Sequence, residues 1–176
     1  THYAIEANEN GNEVFDRLNR GEQVDLSGVD VGPGGEDYRQ TIRAMVEQGI
    51  KVVAVDIDQS TKTTKEEREE RMAGNLQRIV EENPDAKVAY LVGSFHTAKK
   101  PMSDGFEYTG KRIADAGIKA VNVKFAGGED SGPTKLTSPV RQAGLGEKEF
   151  ALDMRKYASS KDVPFGAGEA DYVIHL

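Results

Sequence analysis

The amino-acid sequence predicts an α/β fold: a layered, largely parallel β-sheet flanked by helices. Three observations predict it. Short β-branched apolar runs alternate with stretches of helical periodicity. Each strand-plus-crossover unit is roughly 30 residues long, the length of a βαβ unit. The best strand is apolar on both faces, as a strand covered on each side should be. Residues 1–176 read as a single α/β domain, long enough to bury a proper core, with no internal repeat and no linker between two cores.

The elements follow in order. Tyr3 to Ala7 is a short strand ending in the turn-prone Asn8-Glu9-Asn10-Gly11. Asn12 to Asn19 places Val14, Phe15 and Leu18 at helical spacing, with Gly21 where a C-terminal cap belongs. Glycines 28, 32, 34 and 35 and Pro33 mark a loop over 21–37. Tyr38, Ile42, Met45 and Val46 make a helical stripe from Glu36 to Gln48, closed by Gly49. Ile50 to Ile57 is the strongest strand, and Asp56 and Asp58 mark its carboxyl end. The longest helix follows. Thr63 and Thr64 each precede a Glu by three positions, Met72, Leu76, Ile79 and Val80 form its buried stripe, and Asn83-Pro84 stops it.

Val88 to Val92 is the third strand and runs into Gly93-Ser94-Phe95-His96. A helix is expected over Gly105 to Ala116 and a fourth strand over Lys119 to Phe125. The Gly- and Pro-containing stretch 126–147 reads as a long loop with one helical turn near Pro139. Phe150 to Tyr157 is ambiguous between helix and strand, and Tyr172 to Leu176 reads as a closing strand.

Composition narrows the function classes. The chain has no Cys, which removes disulfides, thiolate nucleophiles, iron–sulfur clusters and Cys-type zinc sites, and leaves the compartment open between secreted and cytoplasmic. The net charge of −7 gives a phosphate backbone no electrostatic support, so nucleic acid is not an expected partner. The whole excess lies in residues 1–58, which hold 12 acidic and 5 basic side chains; the rest balance at 18 of each. No run approaches the ~18 apolar residues of a membrane span. The start, Thr1-His2-Tyr3, has neither a Met nor a signal-peptide pattern and reads as a processed chain or an excised domain.

In parallel α/β sheets ligands sit outside the carboxyl ends of the strands. Three strands deliver ionisable groups there: Glu6, then Asp56 and Asp58, then His96. A histidine on a glycine-bent turn can shuttle a proton or ligate a metal near neutral pH, and a neighbouring carboxylate can orient it. Each has a plainer role as well. Asp58 reads as the cap of a turn with Gln59-Ser60, and Arg68 and Arg71 read as solvated or paired with Glu67 and Glu70. Ser94 lacks the G-x-S-x-G setting of a nucleophile elbow, and no glycine loop carries a P-loop or Rossmann fingerprint. His2 and His175 lie at or near the ends and read as incidental.

The run Glu67-Arg68-Glu69-Glu70-Arg71-Met72-Ala73-Gly74-Asn75-Leu76, with Lys87 to His96 after it, resembles the "R-E-x-x-M-A-x-N … strand-G-x-x-H" segment of the ChaN-like, erythromycin-esterase-like and Tiki/TraB superfamily. The strand ending in Glu6, the stretch Tyr38 to Val55, the stretch Gly105 to Lys124 and the run Ala170 to Ile174 resemble further pieces in the expected order. The resemblance implies an α/β fold with a cleft at the strand ends. Known members include ester-hydrolysing enzymes, metal-dependent proteases and a haem-binding lipoprotein, and related domains occur in large bacterial toxins. By motif position Glu6 and His96 match the superfamily's acting Glu and second His, with Arg68 a supporting charge. Its first motif, G-E-x-H or G-x-x-H, has no counterpart before Glu6.

Two expectations follow. The first is a hydrolase-type domain acting on a small-molecule ester or a peptide. In it His96 is general base or metal ligand, Glu6 the paired carboxylate, and Arg68 the stabiliser of developing negative charge; the metal would be Mn or Zn, held by Glu6 and His96. The second is an inactive ligand-binding or scaffolding domain of a larger bacterial toxin or effector, working beside other domains of its chain. A haem-binding version would take its axial ligand from Tyr90, Tyr108 or His96.

Overall fold

Strand β1 (His2–Asn8) is central because its residues alternate between two apolar surroundings. Tyr3, Ile5 and Ala7 join the cluster on one face of the sheet, while Ala4 joins the cluster on the other. Strand β2 (Lys51–Asp56) and strand β3 (Val88–Leu91) pair with it on either side, both parallel, in the order β2-β1-β3. The computed structural model describes residues 1–31, 35–57 and 62–121, and beyond these three strands of the carboxyl-terminal part. Asp58 lies outside the described residues, as do the loop and turn expected over 126–147 except for Ala126, which is the last residue of a strand.

One face of the sheet is covered by α1 (Asn12–Asn19), α2 (Gly35–Glu47) and the segment between them. Phe15, Ile42 and Leu26 are fully buried there. The segment expected only as a loop also contributes Val24, Val29 and Val31 to this core. Arg39 and Arg43 of α2 tie it down by donating to the carbonyls of Leu26 and Val24, at 2.9 and 2.8 Å. Helix α1 ends as its sequence implies, with Gly21 at φ 82°, a left-handed cap that β-carbon sterics disfavour for other residues. Two of its asparagines also close the free edge of β2. Asn12 exchanges hydrogen bonds with the backbone N–H and C=O of Ala54, and Asn19 does the same with Val52. These amides occupy ladder positions that an edge strand otherwise leaves open to another chain.

The other face is covered by α3 (Lys65–Glu82) and α4 (Thr109–Asp115), with Leu76, Ile79 and Ile113 against Ala4 and Val55. Thr64 and Glu67 form a reciprocal capping box at the start of α3, and the helix stops at Glu82 before Asn83-Pro84. Helix α4 is shorter than the expected Gly105–Ala116. Gly105 turns the chain at φ 84° and Tyr108 is extended, so the helix begins only at Thr109.

The chain forms two compact units, Thr1–Ile118 and Lys119–Leu176. In the second, β4 (Val123–Ala126) runs parallel to β6 (Tyr172–His175), and β5 (Phe150–Asp153) pairs with β6 antiparallel. The ambiguous run from Phe150 thus opens as a strand. The first sheet is wholly parallel and the second mixed. Among the described residues no helix is long and apolar enough to cross a membrane.

Candidate functional site

Glu6 owes its position to an irregularity in β1. Ile5 pairs with Ala54 and Asn8 with Asp56, so Glu6 and Ala7 together oppose the single residue Val55. Such a bulge re-aims a side chain at the end of a strand. Glu6 Oε2 accepts the backbone N–H of Gly93 at 3.0 Å, which joins the ends of β1 and β3. Its Oε1 accepts from Arg68 Nη2 at 2.7 Å.

Arg68 lies in the first turn of α3, and its fork reaches across to Asp56 at the end of β2. Nε donates to Oδ1 at 2.9 Å and Nη2 to Oδ2 at 2.5 Å. The Asp56 side chain is only 3% exposed, so this bidentate pair is largely shielded from water. The hydrogen bonds to Asp56, with those to Glu6 adding, raise the guanidinium above its ordinary value, and it stays charged at every working pH. The pairing of Arg68 with Glu67 or Glu70 that local spacing suggests does not form. Glu67 is engaged in the capping box, and the helix turns Arg68 toward the strand ends.

His96 sits on the 3₁₀ turn Ser94–Thr97. Its Nε2 is 3.7 Å from Glu6 Oε1, and its Nδ1 is 2.7 Å from Glu69 Oε1. Oε1 lies off the ring's N–H direction, since neither atom has an aligned hydrogen-bond partner, and the contact is a close approach of carboxylate and ring. The ring is steadied by the edge of Tyr108, at 5.7 Å and 89°. Glu69 is fully buried on α3. Its Oε2 accepts from the Thr109 hydroxyl at 2.7 Å and from the Thr109 N–H at 2.9 Å. Burial is the largest single influence on this carboxyl and pushes its pKa up. The His96 ring and the two Thr109 donors together overcome it and leave the group below its ordinary value. A buried carboxylate therefore stands ionised behind the imidazole.

The structure brings Glu6, Arg68 and His96 together. Asp56 completes the group from β2. His2, by contrast, lies at the opposite end of β1, where burial, Lys51 and the amino terminus lower its pKa. His175 closes β6 in the second unit. Glu69 and Thr109 are the members that reading the sequence for strand ends missed. A signal was present for Glu69, because it stands three residues before Met72 and seven before Leu76, on the buried stripe of α3. A Glu at such a position needs buried donors. Nothing local marks Thr109.

Among the described residues the donor set for a metal is incomplete: no three His, Asp or Glu side chains are grouped to hold an ion. Glu6 and His96 would supply two donors, beside a guanidinium that already binds Glu6. Both tyrosine hydroxyls are engaged. The Tyr90 hydroxyl donates to Met72 Sδ at 3.4 Å, and burial, with Glu6, Asp56 and Glu69 adding, raises its pKa. The Tyr108 oxygen accepts from Lys65 Nζ at 2.8 Å. No family model, curated protein or solved structure matches the chain.

Proposed function

We propose that the first unit carries a hydrolase-type site, of the ChaN-like, erythromycin-esterase-like and Tiki kind, that cleaves an ester or a peptide by general acid–base catalysis. One observation carries the reading: His96 has a buried carboxylate against Nδ1 while Nε2 faces Glu6 across 3.7 Å. An oxygen of water or of a substrate hydroxyl, hydrogen-bonded to both groups, would sit beside this pair rather than between its members.

In this mechanism Nε2 of neutral His96 takes a proton from the water as its oxygen attacks the substrate carbonyl carbon. The imidazolium then returns that proton to the departing alkoxide or amine as the carbon–oxygen or carbon–nitrogen bond breaks. The ionised Glu69, 2.7 Å from Nδ1, stabilises the imidazolium by its charge. Glu6 orients the water. Arg68 is a positioning residue here rather than the stabiliser of the substrate's negative charge, because its fork is engaged by Asp56 and Glu6. No step is routed through a metal.

The test is hydrolysis of a panel of aryl esters and peptides by the full chain and by His96→Ala. The expected outcome is a loss of about 10²–10⁴-fold in kcat/KM, the usual worth of a general base, with the thermal unfolding midpoint unchanged. Equal turnover by the variant would refute the role. No turnover by the folded wild-type chain would instead support the second reading, a ligand-binding or scaffolding domain of a larger toxin or effector. The self-contained bonding of Glu6 by Arg68 and Gly93 favours that reading. Haem titration followed by absorbance, and melting with Mn or Zn, then ask whether the chain takes either group.

A further inference from the structure

Beyond Arg68, α3 borders a cleft of about 530 Å³ whose walls include Glu9, Asn12, Arg71, Gly74, Asn75 and Arg78. Positions 71, 74, 75 and 78 are spaced three, four and seven residues apart and so share one helix face. The two arginines stand about 10.5 Å apart along the axis, within reach of one small molecule for side chains of their length. Between them Gly74 leaves the floor open, since a β-carbon built there would meet no atom within 4 Å.

The polar wall is organised. Glu9 Oε1 is 3.1 Å from Arg71 Nε, and its Oε2 accepts from Asn75 Nδ2 at 3.1 Å. Asn75 also donates to the Val55 carbonyl at 2.9 Å and accepts from Arg78 Nη2, so a buried amide fixes both the acid and the second arginine. A guanidinium has five N–H donors, and these contacts engage Nε of Arg71 and Nη2 of Arg78. Two arginines against one glutamate make the cleft locally positive in a chain whose net charge is −7. As a mere surface ion pair, Arg71 with Glu9 would contribute little to stability, because the arginine side chain is 63% exposed.

We infer that this cleft binds a small phosphate-bearing anion through Arg71 and Arg78. Two forks offer more donors than one carboxylate can accept, and Glu9 neutralises only one of the two positive charges. A phosphate or diphosphate group supplies several acceptor oxygens for the remaining N–H groups and negative charge for the remaining cation. The inference stands apart from the hydrolytic reading, since it uses neither His96 nor Glu6.

The test is titration calorimetry of the full chain with inorganic pyrophosphate at constant ionic strength. Saturable binding is expected, weakened at least about tenfold in Arg71→Gln/Arg78→Gln, the scale of losing charge-assisted forks. It should be unchanged in Arg17→Gln, an exposed arginine on α1, and retained in His96→Ala. Equal affinity for the double variant and the wild type overturns the inference, as does the absence of saturable binding. Loss of binding in His96→Ala also overturns it, by moving the anion to the other site.

Discussion

Removing the guanidinium at the strand ends tests the physical core of the site without needing a substrate. Arg68→Met keeps the aliphatic stem but leaves Asp56, 3% exposed, and Glu6, 29% exposed, without their shared cation. Stranding one partner of a fully buried pair costs about 3–5 kcal/mol. Arg68 is itself 24% exposed, so water can reach the vacated space and part of that loss is recovered. The expected destabilisation is therefore about 2–3 kcal/mol, which lowers the unfolding midpoint by about 10 °C. Asp56→Asn removes the more deeply buried charge. Made in the Arg68→Met background, it should restore a good part of the loss, so a double-mutant cycle by urea unfolding should give a coupling near 2 kcal/mol. Arg68→Lys should fall between, because a lysine keeps the charge but not the fork. Arg68→Met within about 0.5 kcal/mol of wild type, or strictly additive behaviour in the cycle, would refute the reasoning, since both are what independent surface groups give.

Three further predictions concern the ring and the turn that carries it. Glu69→Gln keeps shape but removes the negative charge that stabilises the imidazolium; kcat/KM for whatever substrate the panel reveals should fall about 10²–10⁴-fold, and activity near wild type would remove Glu69 from the mechanism. Because the Glu69 carboxyl titrates below its ordinary value, its stabilising contribution is complete above about pH 4.3 and is lost as pH falls through the lower native value. The stability difference between wild type and Glu69→Gln, followed by urea unfolding from pH 7 to pH 3, should accordingly shrink at the acid end; a difference that grows on acidification would contradict this sign. Gly110→Ala should destabilise by about 1–3 kcal/mol, because the added β-carbon would lie 2.5 Å from the Thr97 carbonyl oxygen and 2.9 Å from that of Ala98. Unaltered unfolding of that variant would mean that the turn holding His96 is not packed against α4.

The backbone elements of the first unit were legible because their signals are local. Ile50 to Ile57 is β-branched and apolar, Thr64 and Glu67 stand in capping-box spacing, and Gly21 and Gly49 follow apolar helical stripes. Each of these is a preference of a few adjacent residues, and the structure places strands and helices there within one or two positions. A rule about strand ends likewise placed Glu6 and His96 at one edge of the sheet, where they lie 3.7 Å apart. The rest needed three dimensions. Arg68 meets Glu6 across 62 positions and Asp56 across 12, in preference to acidic neighbours on its own helix, because the helix face and the bulge in β1 decide which charges converge. Thr109 finds Glu69 across 40 positions, and Asn12 finds the edge of β2 across 42. Sequence periodicity marks a buried face but carries no record of which distant donor will meet it there; only packing the sheet against α3 and α4 supplies that partner.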